Sequence, residues 1–213
     1  MAVTDGLRAR LRHVAPATSG RLDESGFLLA GGTAGLLGWG GTQVLAWVAV
    51  PDSALLATAL WVVLVCGFAG LTVLHGPDDV RFSDAMFGWG TVNGTATALT
   101  VAGVSGLVPP RVAFWFAWVG AAALGYLWTG GLLVRAGAAE RGRSYLASGG
   151  VALAVLALGA VAFETIAPVA FLLLAALHAV PLVLDAKTEF SPVARGAVVA
   201  LVVGVIVGTG LLA

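Results

Sequence analysis

Three large polar side chains stand inside long apolar runs of this sequence, where they are candidates for ligand binding or transport. Asn93, Tyr126 and His178 each lie near the middle of a run. If the runs are membrane helices, a rise of about 1.5 Å per residue puts all three within roughly 3–7 Å of the membrane midplane, on the same side of it. Polar groups at this depth are expensive in a bilayer, so they are the first candidates for a functional site.

A fourth candidate, Thr97, follows Asn93 at helical spacing. The residues at i, i+4, i+8 and i+11 of this run predict one polar and aromatic stripe; they are Trp89, Asn93, Thr97 and Thr100. We predict a ligand-binding site formed by Asn93, Thr97, Tyr126 and His178. Pro181 removes a backbone donor one turn after Leu177 and would leave a carbonyl there that favours local hydration.

The alternative is that each of these groups makes one interhelical hydrogen bond, worth about 0.6 kcal/mol on average. A threonine hydroxyl can satisfy itself on its own helix, so this interpretation suits Thr97 well. An amide or an imidazole usually needs a partner on another helix. Asn93 and His178 therefore remain the stronger functional candidates.

Several catalytic and cofactor sites are disfavoured. Gly103-Val104-Ser105-Gly106 resembles the G-x-S-G motif of rhomboid proteases, but Ser105 and His178 would differ in depth by about 15 Å. The last apolar run has no histidine for a zinc site and no lysine for a retinal Schiff base. His75 and His178 differ too much in depth to share one haem iron. We expect no metal or other cofactor, and the sequence indicates no catalytic centre.

The chain is predicted to be an all-α integral membrane protein. It is 59% apolar and 10% charged, and its only cysteine, Cys66, lies inside an apolar run and can form no intramolecular disulfide. Its net charge is zero and indicates no nucleic-acid binding. Seven runs are long enough to cross a hydrocarbon core about 30 Å thick. They are Gly26–Val50, Ser53–Leu74, Ala85–Pro110, Val112–Val134, Ser144–Phe163, Thr165–Leu184 and Gly196–Ala213.

The basic residues predict the orientation. With the N-terminus cytoplasmic and the C-terminus external, ten of the eleven lysines and arginines lie inside and only Arg111 lies outside. The inside group is Arg8, Arg10, Arg12, Arg21, Arg81, Arg135, Arg141, Arg143, Lys187 and Arg195. Residues 1–25 are then a cytoplasmic, arginine-rich segment, either a helix on the membrane surface or a solvated tail. Residues 26–213 form a single seven-helix domain.

The boundary between the fifth and sixth runs is the least marked. As one helix, residues 144–184 would be about 60 Å long, twice the hydrocarbon thickness. The run must therefore fold back on itself. Glu164 and Pro168 mark the turn, since a charge prefers the interface and proline suits the first turn of a helix.

Small residues recur every four positions in four runs, and such stripes let membrane helices approach closely. The stripes are Ala30, Ala34, Gly38, Thr42 and Ala46; Gly90, Gly94, Ala98, Ala102 and Gly106; Ala113, Ala117, Ala121, Gly125 and Thr129; and Gly196, Ala200, Gly204 and Gly208. They predict a compact bundle. The same stripes would equally form a contact with a second copy or with another membrane protein.

Two functions follow from these patterns. The first is a small-molecule or ion transport or ligand-binding module with a polar site near the midplane. The second is a non-catalytic structural or accessory subunit of a membrane complex, with Trp115 and Trp118 anchored at the outer interface. Membrane lipids are expected partners in both cases, and the cell membrane is the expected location.

The orientation gives a first prediction. A reporter fused after Ala213 will be active only on the external side, whereas one inserted near Arg141 will be active only in the cytoplasm, because basic loops stay inside. Paired fusions to alkaline phosphatase and to a fluorescent protein measure this. A cytoplasmic C-terminus would contradict the seven-span topology.

Overall fold

Seven long helices make up most of the described chain. A computed structural model of the protein describes residues 22–48, 53–187 and 191–212. The long helices are α1 (Glu24–Val48), α2 (Ser53–His75), α3 (Asp84–Val104), α4 (Ala117–Arg135), α5 (Ala139–Ile166), α6 (Ala170–Lys187) and α7 (Pro192–Leu212). A four-residue helix, Asp78–Arg81, precedes α3, a π-helical turn, Val112–Phe116, leads into α4, and a 3-10 turn, Ala167–Val169, leads into α6. No described residue lies in a strand. Residues 1–21 of the predicted arginine-rich segment, which include its four arginines, lie outside the described residues, whereas α1 already begins at Glu24.

The described helices include four stretches that are long and apolar enough to cross a membrane. They are Leu55–His75, Val112–Arg135, Ala139–Lys187 and Pro192–Leu211. The third stretch contains both α5 and α6, and it folds back as the sequence predicts. Helical geometry breaks at Ala162, the 3-10 turn contains Pro168, and Arg141 near one end of the stretch contacts Asp185 near the other.

α6 is the central helix of the bundle. Its residues 173–177 are all buried, as expected for a helix that is apolar on every side. α1 packs along α6, α4 packs along α5, and α7 contacts both α5 and α6. α2 and α3 are peripheral, since α2 packs mainly on α1 and α3 mainly on α4. Polar groups on α6 therefore have neighbours on several helices.

Several predicted boundaries are wrong, and three of them have a clear local cause. α3 stops at Val104 and not at Pro110, because Gly106 takes a φ of 74° and Leu107 N donates back to the carbonyl of Ala102. α5 starts at Ala139 rather than Ser144, after a turn in which Gly137 has a φ of 87°. α7 starts at Pro192, where a proline suits the first helical position. These changes bring Arg141 and Arg195 into the first turns of helices.

The small-residue stripes differ in what they contact. The α4 stripe is largely buried, as predicted. In contrast, a Cβ added to Gly90 or Gly94 on α3, or to Gly204 or Gly208 on α7, would have nothing within 4 Å in the described chain. Gly94 and Gly204 therefore do not pack against another helix of the described chain, and for them the predicted contact with a second copy or with another membrane protein stays open. Close approaches occur at other glycines. The periodicity of small residues marks one face of a helix, but it does not show whether another helix covers that face.

Two glycines let the backbones of α4 and α5 approach closely. A Cβ on Gly130 would lie 2.8 Å from the carbonyl oxygen of Gly142, and a Cβ on Gly142 would lie 2.8 Å from the carbonyl oxygen of Gly130. α1 approaches α6 in a similar way, since a Cβ on Gly35 would lie 2.9 Å from the Cβ of His178. Glycine is required at these crossings because any side chain would separate the helices.

We expect Gly130→Ala to lower the stability of the bundle by about 1–3 kcal/mol, since its methyl group would meet backbone atoms of α5. Gly94→Ala is the matched control, because it adds the same methyl group in open space and gains the higher helix propensity of alanine. Thermal unfolding in detergent measures both variants. Equal midpoint temperatures would contradict the assigned α4–α5 contact.

Candidate ligand-binding site

Tyr126 and His178 lie together, joined through the backbone of α6. The hydroxyl of Tyr126 donates to the carbonyl oxygen of His178 at 3.2 Å. Tyr126 is fully buried, and its ring stacks on Tyr145 with the centroids 5.8 Å apart. The sequence predicts that Pro181 leaves the carbonyl of Leu177 free, and the acceptor observed is the carbonyl of the next residue, His178. A polar contact between α4 and α6 thus forms in the middle of the bundle.

The imidazole of His178 is enclosed by aromatic rings. Its centroid lies 6.0 Å from the Trp39 ring and 6.4 Å from the Trp118 ring. Nδ1 lies 2.9 Å from the carbonyl oxygen of Leu174, one turn back on the same helix. Nε2 is buried and has no partner among the described residues. The histidine is therefore packed into the core, with one ring nitrogen unused.

Asn93 and Thr97 lie on α3, away from that contact. The Thr97 hydroxyl is exposed and donates to the carbonyl oxygen of Asn93 on its own helix. The Oδ1 atom of Asn93 is buried without a partner among the described residues. α3 reaches Tyr126 through Trp89, whose ring packs edge-on with a centroid distance of 4.9 Å. The structure therefore joins Tyr126 to His178 and Thr97 to Asn93, but it does not bring these two pairs together.

Tryptophans fill the space between α1, α2 and α4. The centroids of Trp39 and Trp61 are 4.5 Å apart, and those of Trp61 and Trp118 are 5.9 Å apart. Threonine hydroxyls accept from two of the indoles, Thr42 from Trp61 and Thr100 from Trp118. These threonines make structural interhelical hydrogen bonds, as the alternative interpretation of such residues expects.

The expectation that Trp115 anchors the outer interface is wrong. Trp115 is only 2% exposed, and its indole donates to the carbonyl oxygen of Ala170 at the start of α6. The π-helical turn before α4 faces the core at this point and carries the ring inward. Trp47 and Trp128 are the exposed indoles among the described residues, and each also donates to a backbone carbonyl.

A polar network that the sequence analysis missed is centred on Asp185. Its side chain is 6% exposed and accepts from Arg141 Nη2 at 2.6 Å, Tyr145 Oη at 2.6 Å and Arg195 Nη1 at 3.1 Å. Arg141 Nε adds bonds of 2.9 and 2.8 Å to the two carboxylate oxygens. The same guanidinium bridges to Glu24 at 2.6 Å. Residues of α5 and α7 thus meet at the carboxylate of α6, and Arg141 links α1 to this network.

The other end of the bundle carries a simpler ion pair. Arg111 bridges to Glu164, whose side chain is mostly exposed, and its guanidinium stacks over the Phe163 ring at 4.3 Å. An exposed pair of this kind contributes about 0–1 kcal/mol. We call the end with Asp185 the charged end, since Arg81, Arg135, Arg141, Arg143, Lys187 and Arg195 all belong to helix ends or turns there.

A pocket of about 400 Å³ opens beside Asp185, which is within the size range of small-molecule sites. We call it the Asp185 pocket. Its described lining residues are Glu24, Ser25, Leu28, Glu140, Arg141, Asp185, Ser191, Pro192 and Arg195. Five of these side chains carry charge. This concentration of charged side chains around one cavity is unusual for so apolar a chain. The pocket is therefore the strongest candidate site in the described chain.

A second recess, of about 10 Å³, adjoins the network and has room for about one water molecule. Asp185 and Arg195 line both cavities. Ser144, Tyr145 and Ser148 also line the recess. The hydroxyl oxygen of Ser144 is buried without a partner among the described residues, so the recess holds an unused hydrogen-bonding group.

The sequence contains a signal for this network. Arg141 and Tyr145 are four residues apart and therefore share one helix face. Asp185 follows His178 by seven residues, which also keeps to one face. The positive-inside rule accounts for the basic residues by topology alone, and it gives no indication that two of them pair with the carboxylate at the end of α6.

No protein-family model, curated protein or solved structure matches this chain. The candidate site therefore depends on the geometry of its own residues.

We expect Asp185→Asn to destabilise the bundle by about 3 kcal/mol, the lower end for removing one partner from a buried ion pair, because Arg141 is 32% exposed and partly screened. Glu164→Gln, the control at the opposite end, should change stability by about 1 kcal/mol or less. Thermal unfolding in detergent distinguishes the two. Similar small losses in both variants would show that the Asp185 network contributes little.

Proposed function

We propose that the chain crosses the cell membrane seven times, with its N-terminus and the charged end of the bundle in the cytoplasm and its C-terminus outside. The long helices alternate in direction, and the described basic residues gather at one end, apart from Arg111. The positive-inside rule assigns that end to the cytoplasm. The apolar side chains that α2 exposes, Leu55 and Val63 among them, would then face lipid.

Within this topology we propose a ligand-binding module, in which a small polar molecule enters the Asp185 pocket from the cytoplasmic side. The pocket itself is the observation that carries the proposal, since its charges are held by helices of the bundle core and not by loops alone. Below the pocket, Tyr126 donates to the backbone of α6 at His178. A transport role would require the ligand to pass the aromatic rings around His178, so we place binding at the pocket and not at the midplane.

A second candidate function is an accessory subunit of a membrane complex. The observation in its favour is the open stripe on α3, where Gly90 and Gly94 meet nothing within the described chain. Small residues let another helix approach closely in lipid. This candidate predicts a stable association through α3, which crosslinking at Thr95, an exposed neighbour of the stripe, would detect.

Blocking the pocket tests the ligand-binding function. Wild-type protein in detergent is screened for thermal stabilisation by small acids, amines, sugars and nucleotides. We expect a ligand at a hundredfold excess over its Kd to stabilise the protein by about 2.7 kcal/mol. Ser25→Trp, which fills the pocket, should abolish the effect. Thr33→Trp is the control, because Thr33 lies on the exposed face of the same helix.

A ligand that stabilises Ser25→Trp as well as the wild type would contradict binding in the Asp185 pocket. If Tyr126→Phe and His178→Ala remove that effect, the midplane is the binding site.

A further inference from the structure

The small recess next to the Asp185 pocket lies one helical turn further along α5. Glu140 lines the pocket and Ser144 lines the recess, and four residues of an α-helix advance by about 6 Å. The volume of the recess is about 10 Å³, which is about the least that one water molecule needs. The recess can therefore hold a single water molecule but no larger ligand.

The hydroxyl of Ser144 is the group that points to a bound molecule in this recess. Ser144 is 7% exposed, and its hydroxyl oxygen is buried without a partner among the described residues. A buried hydroxyl that makes no hydrogen bond is costly in free energy. A serine inside a helix can satisfy itself on the carbonyl four residues before it, but Ser144 does not do so.

Ser148, one turn further along α5, shows that self-satisfied arrangement. Its hydroxyl donates to the carbonyl oxygen of Ser144 at 3.0 Å, and the residue is 3% exposed. Both serines line the recess. The two buried hydroxyls therefore differ in one respect, since Ser148 is bonded to its own helix and Ser144 is not.

A buried water needs at least two polar partners, and the hydroxyl of Tyr145 supplies the second. Tyr145 also lines the recess. It donates its proton to Asp185 at 2.6 Å, and its oxygen can still accept a hydrogen bond. The carboxylate of Asp185 is a poorer acceptor for the water, because five hydrogen bonds already reach its two oxygens and a carboxylate has about four lone-pair sites.

We propose that the recess binds one water molecule, which bonds to the hydroxyls of Ser144 and Tyr145. This water brings Ser144 into the Asp185 network. It also strengthens the bond from Tyr145 to Asp185, since a hydroxyl that accepts a hydrogen bond donates its own proton more strongly. The water site does not depend on a ligand in the Asp185 pocket, because Ser144 and Tyr145 line the recess and not the pocket.

Radiolytic labelling of the full-length protein in detergent tests for the water. Hydroxyl radicals formed from a bound water label the side chains next to it, even where bulk water does not reach, and mass spectrometry locates the label. Tyr145 is the reporter, and Tyr126, which is fully buried and lines neither cavity, gives the background. We expect Tyr145 to be labelled above this background in the wild type.

Two serine variants test which hydroxyl holds the water. Ser144→Ala leaves the water with one partner, so the labelling of Tyr145 should fall to the level of Tyr126. Ser148→Ala is the matched control, because it removes a hydroxyl from the same recess that is already bonded to the helix backbone. Its Tyr145 labelling should equal that of the wild type.

Thermal unfolding in detergent tests the bond at Ser144 by its sign. If the hydroxyl is bonded to water, Ser144→Ala loses that bond, and its midpoint temperature should fall below those of the wild type and Ser148→Ala. Both variants gain the same helix propensity of alanine. If the hydroxyl were unbonded, its removal would relieve a buried polar group, and the midpoint would rise above that of the wild type.

Three results would overturn the proposal. Labelling of Tyr145 no higher than that of Tyr126 in the wild type would mean that no water is bound in the recess. Equal labelling of Tyr145 in all three proteins, or an equal loss in both variants, would mean that Ser144 does not hold the water. A higher midpoint temperature for Ser144→Ala than for the wild type would mean that its hydroxyl has no partner. The ligand-binding function is tested separately, by Ser25→Trp.

Discussion

The carboxylate of Asp185 is the constraint on which the charged end of the bundle depends. Between membrane helices there is little hydrophobic drive, so packing and polar contacts must set their positions. Asp185 lies on the central helix and accepts from α5 and α7, while Arg141 extends the network to α1. A nearly buried carboxylate is stable only with such partners. The network thus fixes four helix ends at once and leaves a cavity between them.

Below this network the helices are held together by close packing of their side chains and backbones. Glycines allow α4 to meet α5 and α1 to meet α6, while tryptophans fill the gaps between α1, α2 and α4. Most of the indole and threonine donors there are paired with nearby oxygens. The aromatic centre therefore leaves little open space. The pocket and most of the charged side chains lie at the charged end, which is why we propose ligand binding there.

The sequence predicts the helical class and the reversal at Glu164 and Pro168 because those features follow from length, hydropathy and local chemistry. It does not predict which face of a helix is covered. The stripes on α3 and α4 look alike in sequence, yet Gly125 is buried and Gly94 is open. Contacts between distant residues, such as Arg141 with Asp185, depend on the order in which helices pack. Asn93 is predicted to share a site with His178 only because their depths agree. The residue of α3 that contacts Tyr126 is Trp89 instead.

Gln43 sets a timing constraint on biogenesis. Its amide donates to the carbonyl oxygen of Pro168, and its side-chain oxygen accepts from the backbone of Phe171, 128 residues later in the chain. At a synthesis rate of about 5–20 residues per second, about 6 to 26 seconds pass between the synthesis of Gln43 and that of Phe171. During this interval the Gln43 amide lacks the partners that it has in the folded bundle. In the topology that we propose, water at the interface, another polar group or the insertion machinery would have to satisfy this amide until α6 arrives.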